Sequence, residues 1–161
     1  MGNVSDTMEG TAMNTLEMGS TEGFRNSVDA VDKNGHTALM NAAKAGDLVE
    51  VNALLERGAS LLARSAKKSK TALHFAAANG QAEAARLLLS KGAEVDARDL
   101  TGHTSLMLAA NYGCDQTCDV LLKHGADPLA LSHTGGTALA YAENNHHVST
   151  VQILMKALRS N

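Results

Sequence analysis

The chain has 161 residues, 44% of them apolar but only 2% aromatic, and its 14 lysines and arginines against 17 acids leave a net charge of −3. That balance argues against a protein that coats nucleic acid through bulk charge, and a core of Ala, Leu, Val and Met suits closely spaced helices better than aromatic-rich strands. Cys114 and Cys118 are too few for a disulfide framework and no apolar run approaches the roughly 18 residues of a membrane span, so a soluble, intracellular, cytoplasmic protein of single-domain size is expected.

Residues 1–27 read as an acidic, polar N-terminal tail, with Asp6, Glu9, Glu17 and Glu22 against Arg25, and are expected to be disordered. The tail lacks the basic start and apolar stretch of a signal peptide. It begins Met1-Gly2, as N-myristoylation requires, but carries Asp6 where Ser or Thr is usual. Gly2 is therefore a candidate lipidation site, and membrane association is expected only if it is acylated.

From residue 28 to 158 the chain repeats itself. "GHTALMNAAKAG" from Gly35, "KTALHFAAANG" from Lys70, "GHTSLMLAANYG" from Gly102 and "GGTALAYAENNH" from Gly135 align on Thr37, Thr71, Thr104 and Thr137, which are 34, 33 and 33 residues apart. Each threonine stands where a hydroxyl caps a short helix, with Leu39, Ala42 and Ala43 on one face of the first. Gly46, Gly80 and Gly113 end these helices in the left-handed conformation. A second helix follows in each unit, with apolar positions at Val51, Leu54 and Leu55 and at Ala85, Leu88 and Leu89, closed by Gly58, Gly92 and Gly125. One such pair cannot bury its apolar face alone, so neighbours must stack. The expected fold is all-α, a solenoid of four helix-turn-helix repeats, at approximately 32–64, 65–98, 99–131 and 132–158.

The period near 33, the T-x-L-x-x-A string, the mid-repeat glycine and the later L-L-x-x-G-A together resemble ankyrin repeats. Four copies in register make the resemblance specific. Two departures stand out. The proline of T-P-L-H is Ala, Ala, Ser and Ala here, so the residue favoured at the first helical position is missing throughout. In the fourth repeat His146 and Leu158 occupy the two glycine positions, so its second helix is expected to run on towards Arg159, as in a terminal capping repeat; the first repeat serves as the N-terminal cap.

Catalysis is not expected. His36 and His103 hold equivalent places two repeats apart, about 20 Å at the spacing of packed helices, and cannot share a substrate. The sequence holds no GxSxG, HExxH or glycine-rich phosphate loop. Cys114, Cys118, His146 and His147 are residue types that ligate metal, but Cys118 falls in the core column of Val51, Ala85 and Val151, where a small buried hydrophobe belongs. Neither metal nor cofactor is expected.

The resemblance implies β-hairpin-like tips joining the repeats and a concave partner-binding surface made of these tips and the outward faces of the first helices. Its variable positions map to Lys33, Asn34, His36 and Lys44 in the first repeat and to Lys67, Lys68, Lys70, Phe75 and Asn79 in the second. The third supplies Leu100, Thr101, His103, Asn111 and Tyr112, and the fourth His133, Thr134, Asn144 and Asn145. From Arg57 to Lys70 there are five cations and no acid. These features point to a monomeric, non-catalytic module, adaptor or stoichiometric inhibitor, that binds an acidic segment of another protein. The string "KKSK", Lys67 to Lys70, also fits a short nuclear localisation signal, which makes a nuclear regulator the alternative; a membrane-associated adaptor is a further one if Gly2 is acylated. The tip Ser65 to Lys70 is one residue longer than its neighbours and lacks both the Asp and the Gly of a regular turn, so it is expected to be the most mobile of the tips.

Overall fold

The computed structural model describes residues 27–160; the tail and Gly2 lie outside them. Within those residues the chain forms eight helices in four antiparallel pairs. They are α1 (Ala38–Ala45) with α2 (Leu48–Glu56), α3 (Ala72–Ala78) with α4 (Ala82–Ser90), α5 (Ser105–Asn111) with α6 (Asp115–Lys123), and α7 (Ala138–Asn144) with α8 (Val148–Arg159). The first helices of successive pairs pack on one another in one layer and the second helices in another. This is the expected all-helical stack, and α8 runs on to Arg159 as the loss of the second glycine predicts.

Each first helix starts at a threonine because its side chain accepts from the amide three residues on. Thr37 accepts from Met40, Thr71 from His74, Thr104 from Met107 and Thr137 from Ala140. In three repeats the N3 side chain answers by accepting from the threonine's own amide, through sulfur in Met40 and Met107 and through Nδ1 in His74. Two otherwise unpaired donors are thus satisfied at each start. The missing proline is replaced by Ala38, Ala72, Ser105 and Ala138, all at the first helical position.

Gly46, Gly80 and Gly113 have φ of 74°, 68° and 67°, and His146 repeats the conformation at φ 60°. The same pair of backbone bonds closes each helix, for example Asp47 N to Ala42 O (3.1 Å) and His147 N to Ala142 O (2.9 Å). A non-glycine residue in that region costs about 1 kcal/mol, so the fourth repeat keeps the turn at some expense.

The core follows from side-chain size. Ala43, Ala76, Ala77, Ala109, Ala110 and Ala142 are all fully buried and let the helices approach closely. Leu39, Leu54, Leu73, Leu88, Leu106, Leu121 and Leu154 fill the space between the layers, each contributing about 2 kcal/mol. Cys118 is fully buried in its expected column, and desolvation pushes its thiol up to about 12.

Ser105 breaks the pattern, since its buried Oγ has no hydrogen-bond partner among the described residues, as is also true of Thr117 Oγ1. A hydroxyl buried without a partner costs free energy that an apolar residue of similar shape does not. Ser105→Ala, which installs the residue of the other three repeats, should stabilise the fold by about 1 kcal/mol and raise the melting temperature by about 3 °C. Thermal unfolding followed by circular dichroism checks it, and an unchanged or lower midpoint contradicts it.

The tips are hairpin-like turns rather than strands; among the described residues the one bridge joins Val31 and Thr37. Asp32 and Asp99 start two of them, each carboxylate accepting from backbone amides across the turn. The tip from Ser65 to Lys70 departs from its expected looseness. Ser65 is buried and its hydroxyl accepts from Lys70 N (3.0 Å), taking the place of the aspartate, while Ser69 at φ 55° takes that of the glycine. The extra residue is absorbed in a closed turn with Ser65 N to Lys70 O at 2.9 Å and Ser69 N to Ser65 O at 2.9 Å. Backbone bonds then run from tip to tip: Ala66 N to Gly35 O (3.0 Å), Leu100 N to Lys68 O (2.9 Å) and His133 N to Thr101 O (3.1 Å).

Candidate functional site

The tips and the exposed sides of α1, α3, α5 and α7 form one continuous face. The register determines what stands on it. The residue before each threonine, His36, Lys70, His103 or Gly136, ends a tip. The residue four after the threonine, Asn41, Phe75, Leu108 or Tyr141, projects from the first turn of the helix. Successive repeats bring the tip residue of one against the helix residue of the next. His36 meets the Phe75 ring with centroids 4.6 Å apart, and His103 meets the Tyr141 ring at 5.1 Å.

The second of these pairs anchors a polar network. His103 Nε2 lies 2.9 Å from the Tyr141 hydroxyl, which in turn lies 2.9 Å from Ser132 Oγ. On its other side His103 Nδ1 is 2.6 Å from Thr101 Oγ1, whose hydroxyl donates to Asp99 Oδ1 (2.8 Å). Burial pushes the Asp99 carboxyl up, but the Thr101 hydroxyl and the His103 and Thr101 amides outweigh it and hold the group below its ordinary value. Asp99 is thus a structural anion that fixes the tip. Asp32 plays the same part in the first tip, held at about 2 by the Asn41 amide and the His36 backbone amide.

Between the two ring pairs lies a cleft of about 310 Å³, lined by Lys68, Lys70, Asp99, Thr101, His103, Met107, Leu108, Asn111, Tyr112 and Tyr141. Six of the residues expected to bind a partner meet there: Lys68, Lys70, Thr101, His103, Asn111 and Tyr112. Lys33, Asn34, Lys44, Lys67, Asn79, Leu100, His133, Thr134, Asn144 and Asn145 are exposed elsewhere on the tips and inner helices. His36 and Phe75 are half-buried against each other. Asn145 reaches back to Asn111, donating to its Oδ1 (3.1 Å).

Sequence reasoning missed Asp99, Met107, Leu108 and Tyr141 as lining residues. Tyr141 was within reach, since it shares a repeat position with Phe75. The basic run also divides. Arg64 turns along the stack, its Nη1 donating to Arg98 O (2.6 Å) and Ser69 O (3.2 Å). Arg98 does the same one repeat on, donating to Leu131 O and Gly102 O. These guanidinium groups staple neighbouring repeats. Lys67, Lys68 and Lys70, by contrast, have no carboxylate within ion-pair distance among the described residues, whereas Lys123 is paired with Asp119 and Arg86 with Glu83.

No cluster of three or more His, Cys, Asp or Glu is placed to hold a metal ion among the described residues. Cys114 is half-buried and separate in role from His147, whose Nε2 lies 3.1 Å from Asn111 O.

A family model described as ankyrin repeats (3 copies) matches residues 13–99 and 95–161. Among similar curated proteins, a probable E3 ubiquitin-protein ligase of Oryza sativa subsp. japonica is 44% identical over 70 residues, which is 43% of this chain and 14% of that protein. A palmitoyltransferase of Lachancea kluyveri is 42% identical over 67 residues, 42% of this chain and 9% of that one. The neurogenic locus Notch protein of Drosophila melanogaster is 35% identical over 100 residues, 53% of this chain and 4% of its own. The chain therefore spans at most 14% of the length of these relatives.

Proposed function

Because the chain belongs to the ankyrin-repeat family, whose repeats are protein-interaction domains, we propose that it is a non-catalytic adaptor or stoichiometric inhibitor that binds an acidic segment of a partner protein through its concave face. The observation that carries this reading is the cluster of three ammonium groups at the second tip, Lys67, Lys68 and Lys70, with no carboxylate within ion-pair distance among the described residues. Clustered cations steer an acidic partner and set the salt dependence of its association. The ligase and transferase relatives share only a fraction of their length with this chain, so their activities do not transfer. The most perturbed base, His74, is buried and engaged at both ring nitrogens in structural bonds. Two free thiols, Cys114 and Cys118, accord with an intracellular address.

The test is charge reversal. Proteins captured on the full chain at low salt are identified, and the affinity of each for the chain and for a Lys67→Glu/Lys68→Glu variant is measured over a range of ionic strength. The variant should bind the true partner about tenfold more weakly, with a shallower salt dependence. Unchanged affinity and slope would remove the second tip from the binding surface.

A further inference from the structure

The cleft opens at the one step of the stack where the ring pairing is interrupted. His36 covers Phe75 and His103 covers Tyr141, but at the step between them Lys70 stands where the histidine should be and Leu108 where the aromatic should be. Leu108 is buried at 7% exposure and forms a floor with Met107, while Tyr112, 59% exposed, stands at the side. The two lysines at the margin, Lys68 and Lys70, have no ion-pair partner among the described residues. The only carboxylate in the lining, Asp99, already accepts from Thr101 N, Thr101 Oγ1 and His103 N at a single oxygen.

We propose that this gap is the anchor subsite of the binding face, and that it takes an aromatic side chain of the partner flanked by carboxylates. This deepens the reading above and rests on it. The partner's ring supplies what the stack lacks at this step, lying on Leu108 and against Tyr112 between the two existing ring pairs. The flanking carboxylates meet the Lys68 and Lys70 ammonium groups. The volume of about 310 Å³ lies at the small end of ligand sites and suits a single side chain with its neighbours better than a bulky cofactor. A purely acidic segment leaves the exposed Tyr112 ring uncovered, and a purely aromatic one leaves the cations unmatched. The combination of the two distinguishes this subsite from the generally basic tip.

Two blocked peptides test it on the full chain by nuclear magnetic resonance titration, Gly-Glu-Glu-Tyr-Glu-Glu-Gly and the same peptide with alanine in place of tyrosine. The tyrosine peptide should bind about tenfold more tightly and shift the amides of Lys70, Leu108, Asn111 and Tyr112. The variant Leu108→Tyr puts a ring at the floor, as Phe75 and Tyr141 do in the repeats on either side, and fills the gap from within while leaving Lys68 and Lys70 in place. It should lose the preference for tyrosine while still binding the alanine peptide, with folding checked by its own spectrum. Equal affinity of the two peptides for the unaltered chain overturns the subsite but leaves an acid-binding face standing. Shifts confined to the neighbourhood of Lys33 and Lys44 do the same. Failure of both peptides to bind counts against subsite and acidic partner alike. Displacement of signals from residues 1–26 by the tyrosine peptide would make the chain's own acidic segment the occupant and overturn the assignment to a partner.

Discussion

Lowering the pH from 7 to 4 should withdraw about 3 kcal/mol of folding free energy through one side chain, His74. It is fully buried in the second repeat, with Nδ1 accepting from Thr71 N (3.1 Å) and Nε2 lying 3.0 Å from His103 O. That geometry requires a neutral ring with the proton on Nε2, donating to the carbonyl of the next repeat. Desolvation lowers its pKa from 6.5 to about 4; the His103 carbonyl and the Asp99 charge oppose the shift, while Arg64 and Lys70 assist it. Because the folded value lies below the unfolded one, the unfolded chain takes up the proton first. The stabilisation is complete above pH 6.5 and is lost as the pH falls towards 4. Met40 and Met107 occupy the same position in the first and third repeats and cap through sulfur, which supplies a control. His74→Met should cost about 1–2 kcal/mol at pH 7, for the lost bond to His103. It should flatten the profile between pH 6.5 and 4, so that the variant becomes the more stable protein at the acid end. Urea unfolding at pH 7, 5.5 and 4 decides the matter; a variant that loses as much stability on acidification as the parent would show that His74 is not the responsible group.

The register of the four threonines is enough to place the eight helices of the described residues, because capping, the left-handed glycines and the buried leucines recur at constant offsets. What it could not reach were interactions that need two repeats at once. His74 reads locally as one more polar residue on a short helix, and only stacking shows its Nε2 meeting the carbonyl of His103. Arg64 reads as part of a basic patch, yet its reach to Arg98 O makes it a staple. The tip from Ser65 to Lys70 reads as loose, since Asp and Gly are the residues with known turn chemistry; a serine hydroxyl and a serine in the left-handed region did the same work. The cleft was half legible. Lys68, Lys70, Thr101, His103, Asn111 and Tyr112 follow from family positions, but the missing ring at Leu108 acquires meaning only once His36–Phe75 and His103–Tyr141 are seen to pair across repeats.

Stacking also separates glycines that look alike in sequence. Gly102 and Gly125 both adopt positive φ, 78° and 87°. At Gly125 an added Cβ would meet nothing within 4 Å among the described residues, so Gly125→Ala should cost only the strain of the backbone, about 1 kcal/mol. At Gly102 the same atom would lie 2.8 Å from the backbone nitrogen of His133 and 2.5 Å from its ring. That nitrogen donates to Thr101 O (3.1 Å), the bond that ties the third tip to the fourth. Relief of the clash must move backbone, and it breaks this bond. Gly102→Ala should therefore cost about 3 kcal/mol, the sum of strain, a lost hydrogen bond and disturbed packing. In a solenoid each repeat contacts only its neighbours, so the damage should fall on the coupling between the third and fourth repeats. Hydrogen exchange in α7 and α8 should quicken in Gly102→Ala far more than in α1 to α4, and the unfolding transition should broaden. Equal losses in the two alanine variants would mean that the close approach of the tips contributes nothing beyond the turn itself.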